Sequence, residues 1–124
     1  MFKTLRGHNI QIGGSGGGDT LTSGGSGDIL IAGSTNYDAN IAALQFILGE
    51  WAVVKSSTYA TVINNIETSA TDPLNASTVT DSGSPDLADT LNGKSGKTAV
   101  ADWYFAHTAG GTNPNDTINN QFSG

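Results

Sequence analysis

Nine of the eleven acidic residues are aspartates, and five of them open a common unit in which Asp is followed at once by strand-forming residues. The units are Asp19-Thr20-Leu21, Asp28-Ile29-Leu30, Asp89-Thr90-Leu91, Asp102-Trp103-Tyr104 and Asp116-Thr117-Ile118. A short carboxylate at a turn has two uses. It ligates a hard cation, since calcium takes six to eight oxygens from carboxylates, carbonyls and water. It also caps the turn by accepting backbone N–H bonds. The calcium candidates are Asp19, Asp28, Asp89, Asp102 and Asp116. Asp38 is a weaker candidate because helix capping competes for it. Backbone carbonyls near Gly16, Gly18, Gly25 and Gly27 complete the expected shells. Two bound ions would take the net charge from −6 to about −2 and relieve repulsion between stacked turns. The same residues do not suggest catalysis. His8 and His107 are the only histidines, no serine or threonine sits in an elbow motif, and no aspartate is placed in an obvious apolar pocket. The chain is not expected to be an enzyme.

The elements that must hold these aspartates show in the spacing. Ile12, Leu21 and Leu30 recur every nine residues, and Asp19 and Asp28 precede the last two by two positions. Ten of the seventeen glycines fall within residues 1–33, where tight turns need positive φ. A repeat this short is the mark of a parallel β-helix or β-roll, in which equivalent apolar residues stack from coil to coil. A flexible glycine linker lacks such a fixed apolar period.

The stretches Gly14-Ser15-Gly16-Gly17-Gly18-Asp19-Thr20-Leu21 and Ser23-Gly24-Gly25-Ser26-Gly27-Asp28-Ile29-Leu30 resemble the haemolysin-type (repeats-in-toxin) calcium-binding nonapeptide Gly-Gly-x-Gly-x-Asp-x-Leu-x. Ser15, Ser23 and Ser26 depart from its glycines. The resemblance implies a parallel β-roll with calcium held at the turns.

Between residues 34 and 80 the texture changes. Ile41, Leu44, Leu48 and Trp51, with Ile47 beside them, fall at helical spacing behind Asp38 as N-cap. A second helix is predicted from about Ser57 to Ile66, ended by Asp72-Pro73. Ile29 and Ile31 flank inward Leu30 and need a cover, so the helices are expected to fold over that face. The run Ile29–Asp38, then Ala42-Ala43-Leu44 and Gly49-Glu50-Trp51, resembles a variant of the repeat in large planctomycete-type surface proteins, where a helical insertion interrupts the coils. The expected fold is therefore mainly β, a parallel β-roll or β-solenoid with two helices packed on one face. It forms a single domain over 1–124: a first β-roll part at 1–33, a helical insertion at 34–80 and a second β-roll part at 81–124.

Composition narrows the partners. There is no cysteine for a disulfide framework or thiolate site, and five scattered basic residues make no nucleic-acid patch. No apolar run is long enough to span a membrane, and the first residues do not read as a cleavable signal peptide. Coil begins almost at the first residues and ends near the last, without capping helices, so the expected partners are calcium ions and further copies in a homo-oligomer or filament. The expected role is an extracellular or cell-surface, calcium-binding structural subunit that self-assembles into a filament or surface layer. Two alternatives stand beside it. One is a carboxy-terminal repeat module for secretion or adhesion of a larger protein. The other is a carbohydrate- or ice-binding module, whose sign would be a ladder of outward threonines from Thr20, Thr22, Thr90 and Thr117.

Overall fold

The computed structural model describes residues 8–14, 18–23, 27–55, 57–80, 88–93, 102–106 and 116–119. Six three-residue strands share one design, an inward residue between two neighbours facing the other way. They are β1 (Ile10–Ile12), β2 (Thr20–Thr22), β3 (Ile29–Ile31), β6 (Thr90–Asn92), β7 (Trp103–Phe105) and β8 (Thr117–Asn119). Two-residue strands β4 (Ser34–Thr35) and β5 (Val79–Thr80) bracket the helices α1 (Ile41–Trp51) and α2 (Tyr59–Glu67).

The strands form two parallel sheets, in the orders β1-β3-β7 and β2-β6-β8, and one antiparallel pair, β4-β5. In the first sheet Ile10, Ile29 and Trp103 lie side by side; in the second Leu21, Leu91 and Ile118 do. This corrects the expectation of a β-roll or solenoid. Three short open sheets and two helices make a small mixed α/β arrangement, and none of the described sheets closes or winds into a coil. The cause lies in the nine-residue spacing, which places successive units in different sheets. Ile12 pairs with Ile31, Leu21 with Leu91, and Leu30 lies between Gln11 and Tyr104. The three apolar residues are therefore not successive rungs of one ladder.

α1 is capped by Asn40, whose Oδ1 accepts the Ala43 N–H at 3.1 Å. Asp38 sits two residues earlier and accepts from Thr35 N and Oγ1 at 2.9 and 2.7 Å, so it fixes a turn and does not cap the helix. Ala43, Leu44, Ile47, Leu48 and Trp51 form the buried stripe of α1. Ile41, expected on that stripe, lies about a quarter turn off it and is half exposed. α2 contributes Val62 and Ile66, with Tyr59 and Ile63 partly buried. Asp72, at φ 49°, turns the chain into Pro73 after α2.

Two cores result. Ile10, Ile29, Ile31 and Trp103, from one face of the first sheet, pack beneath α1, α2 and Leu74. Leu30 and Ala32, from its other side, meet Leu21 and Leu91 of the second sheet, with Tyr104 and Ile118 against them. Trp51 joins the two layers. It is wholly buried, packs 5.7 Å from Trp103 and 5.9 Å from Tyr59 by ring centroid, and donates its indole N–H to the Gly27 carbonyl. Gly93 is demanded by packing of another kind: a Cβ there would lie 1.8 Å from the Tyr104 hydroxyl.

Candidate functional site

The aspartates sit just before five of the six strands of the parallel sheets, and Asn9 holds that place before β1. Strand pairing alone leaves the N–H of the residue just before a strand without a ladder partner, and a buried N–H must find one. The Asp opening the neighbouring strand supplies it. Asn9 N donates to Asp28 Oδ1 at 2.9 Å, and Asp28 N donates to Asp102 Oδ1 at 2.7 Å. Along the second sheet Asp19 N donates to Asp89 Oδ1 at 2.6 Å, and Asp89 N to Asp116 Oδ1 at 2.8 Å. Each junction is closed by a second bond running the other way. Ile29 N and Trp103 N donate to the carbonyls of Asn9 and Asp28, and Thr90 N and Thr117 N to those of Asp19 and Asp89, at 2.8–2.9 Å. The repeated unit is thus a two-bond clasp between adjacent strands, built from one aspartate side chain and the backbone N–H of the residue that follows it.

Asp28, Asp89, Asp102 and Asp116 are buried, and hydrogen bonds to the charged form offset much of the cost of placing carboxylates there. Burial, more than any other influence, raises the Asp28 carboxyl above its ordinary value; the Asp102 carboxylate adds to this. The Ser23 hydroxyl, the Asn9 N–H and His8 act against it. Ser23 Oγ donates to Asp28 Oδ2 at 2.8 Å and approaches Asp102 Oδ1 at 3.3 Å. Ser23, which departs from the glycine of the repeat motif, thereby supplies a neutral partner to the second oxygen of Asp28. Burial is also the chief cause that pushes the Tyr104 phenol up to about 12, with the Asp102 carboxylate next.

The structure therefore brings the candidate ligands into two rows, Asp28 with Asp102 and Asp19 with Asp89 and Asp116, and leaves Asp38 apart in its own turn. Asp19 is half-buried at the β2 edge, its carboxylate lying over Gly13, where a Cβ would come within 3.0 Å of Oδ2. Gly18 is exposed, whereas Gly27 is buried at φ 71° with its carbonyl taken by the Trp51 indole. Gly16 and Gly25 lie outside the described residues. Among the described residues no three of His, Cys, Asp and Glu converge as a metal-holding group. One oxygen of each buried aspartate accepts a backbone N–H, and the Gly27 carbonyl is taken by the Trp51 indole.

Sequence reasoning missed Asn9, Ser23 and Gln11, all buried. Gln11 lies in register with Leu30 and donates from Nε2 to the Thr22 carbonyl at 2.6 Å, linking the sheets. The available signal was the spacing of 19 between Asn9 and Asp28, which is the register of β1 on β3. Apart from the clasps, a groove of about 320 Å³ lies between Ala32, Ala76, Val79, Tyr104 and Phe105. The Tyr104 phenol is the ionisable group among its described lining residues.

Among the described residues no helix is long and apolar enough to cross a membrane. No protein-family model matches the chain, and no curated protein or solved structure does.

Proposed function

We propose that the chain is a structural subunit of a self-assembling extracellular or cell-surface layer or filament, in which aspartate clasps tie strand to strand. The observation that carries this reading is the clasp itself, repeated with the same polarity along both parallel sheets. A polar contact that repeats by translation extends without limit if another strand is offered. At the β2 edge the half-buried Asp19 carboxylate holds the strand position from which Asp89 and Asp116 each accept an N–H of the next strand. Parallel edges of this kind are templates for pairing with another chain. Head-to-tail contacts that do not close give open filaments. Calcium and the extracellular setting enter the proposal through the motif resemblance, not through the clasps.

The test is sedimentation and electron microscopy of the purified chain over a range of concentrations, in calcium and in chelator. Open-ended assemblies that grow with concentration are expected, and Asp19→Lys is expected to shorten them. Monomers under every condition would refute the assembly reading. Assembly that is identical in chelator would remove calcium from it.

A further inference from the structure

Opposite Leu21, Leu91 and Ile118, the second sheet presents an outer face that the clasps do not use. Register places Thr20, Thr90 and Thr117 in one row across β2, β6 and β8, and Thr22, Asn92 and Asn119 in a second row. Thr20, Thr22, Thr117 and Asn119 are exposed, with Thr90 and Asn92 half-buried at the centre. From this juxtaposition we infer that the outer face of β2-β6-β8 is a binding surface for ice.

Three observations support that ligand. The first is geometry. Neighbouring strands lie about 4.8 Å apart and alternate residues about 6.7 Å apart, so the six side chains form a two-dimensional lattice of hydroxyls and amides. The second is order. Asn119 Nδ2 donates to Asn92 Oδ1 at 2.8 Å, and Asn92 Nδ2 donates to Thr22 Oγ1 at 3.3 Å, so one row is fixed before any ligand arrives. Preorganisation lowers the entropic cost of binding, and side-chain ladders of this kind oppose the twist that would spoil the lattice. The third is charge. The chain carries −6, yet none of the six residues is ionisable, so the face is complementary to a neutral, hydrogen-bonding surface. Ice offers a repeating array of neutral donors and acceptors. A crystalline polysaccharide fits less well, because sugar faces stack on aromatic rings and this face is built of Thr and Asn alone.

The experiment grows ice slowly through a solution of the purified protein and measures how much enters the ice. Thr90→Tyr and Thr117→Tyr place a bulky ring on the lattice at outward positions, and Thr61→Lys on the exposed side of α2 is the control. Circular dichroism confirms that each variant is folded. Wild type and Thr61→Lys are expected in the ice fraction, with at least tenfold less of whichever Tyr variant folds. Exclusion of the wild type from ice, equal entry of a folded Tyr variant, or retention on microcrystalline cellulose without entry into ice would overturn the inference. Sedimentation of the same samples keeps it separate from the assembly reading: monomers that enter ice uphold this inference and refute assembly.

Discussion

Trp51→Ala is expected to lower the unfolding free energy by about 3–5 kcal/mol, the range for removing a fully buried large aromatic side chain. A domain of this size has only about 5–15 kcal/mol to lose, so the variant should lie close to unfolding at physiological temperature. The size of the effect follows from position. Trp51 is the last residue of α1, is wholly buried, and touches both Tyr59 of α2 and Trp103 of β7. Its indole N–H holds the Gly27 carbonyl at the turn that introduces Asp28. Truncation therefore opens a cavity between helices and sheet and leaves a buried carbonyl unsatisfied. Trp51→Phe keeps most of the volume and is expected to recover more than half of the loss. Equilibrium urea denaturation followed by circular dichroism measures both; a loss below about 1 kcal/mol for the alanine variant would mean that the helices do not pack on the sheet as described.

Asp28→Ala is expected to cost about 3 kcal/mol, because it removes charge-assisted bonds and leaves the buried Asn9 N–H without its acceptor. Asp28→Asn should cost much less. The Asn side chain keeps an oxygen for Asn9 N–H, and its amide can donate to Ser23 Oγ, which then donates to Asp102. A metal-ligand role makes the opposite demand, since neutralising the carboxylate would harm the site about as much as deleting it. The pair of variants thus separates clasp from calcium ligand at this position. A pH dependence accompanies them. Burial raises the Asp28 carboxyl in the folded state above its ordinary 3.8. Protonation of this group therefore favours the fold, and its contribution is complete below that ordinary value and lost as pH rises through the raised one. Asp28→Asn is expected to remove this part of the stability profile on the acidic side of neutrality.

Particular residues show what was legible in the sequence and what was not. The strands at Thr20–Thr22, Ile29–Ile31, Thr90–Asn92, Trp103–Phe105 and Thr117–Asn119 each follow an Asp, and that unit marks them in the sequence. Both helices were visible because their apolar residues recur with the helical period, and the covering of Ile29 and Ile31 follows from having apolar residues on both sides of one strand. Pairing was not legible. A three-residue strand carries too little pattern to select a partner, and β2 finds its neighbour 70 residues away, beyond both helices. The N–H that each aspartate accepts was equally hidden. The same residue at the same turn suits several partners, and only the register of the next strand says which backbone N–H lies opposite it. Asn9 looks like an ordinary polar residue until that register places it beside Asp28, and Ser23 does so until the packing of the two sheets brings its hydroxyl to the same carboxylate.

Amide hydrogen exchange at Asp28 and Asp19 tests the clasp most directly. Protection of both amides is expected in the wild type, with loss at Asp28 alone in Asp102→Ala and at Asp19 alone in Asp89→Ala. Amides at these two positions that exchange at the rate of an unfolded chain, or that stay protected in both variants, would contradict the account.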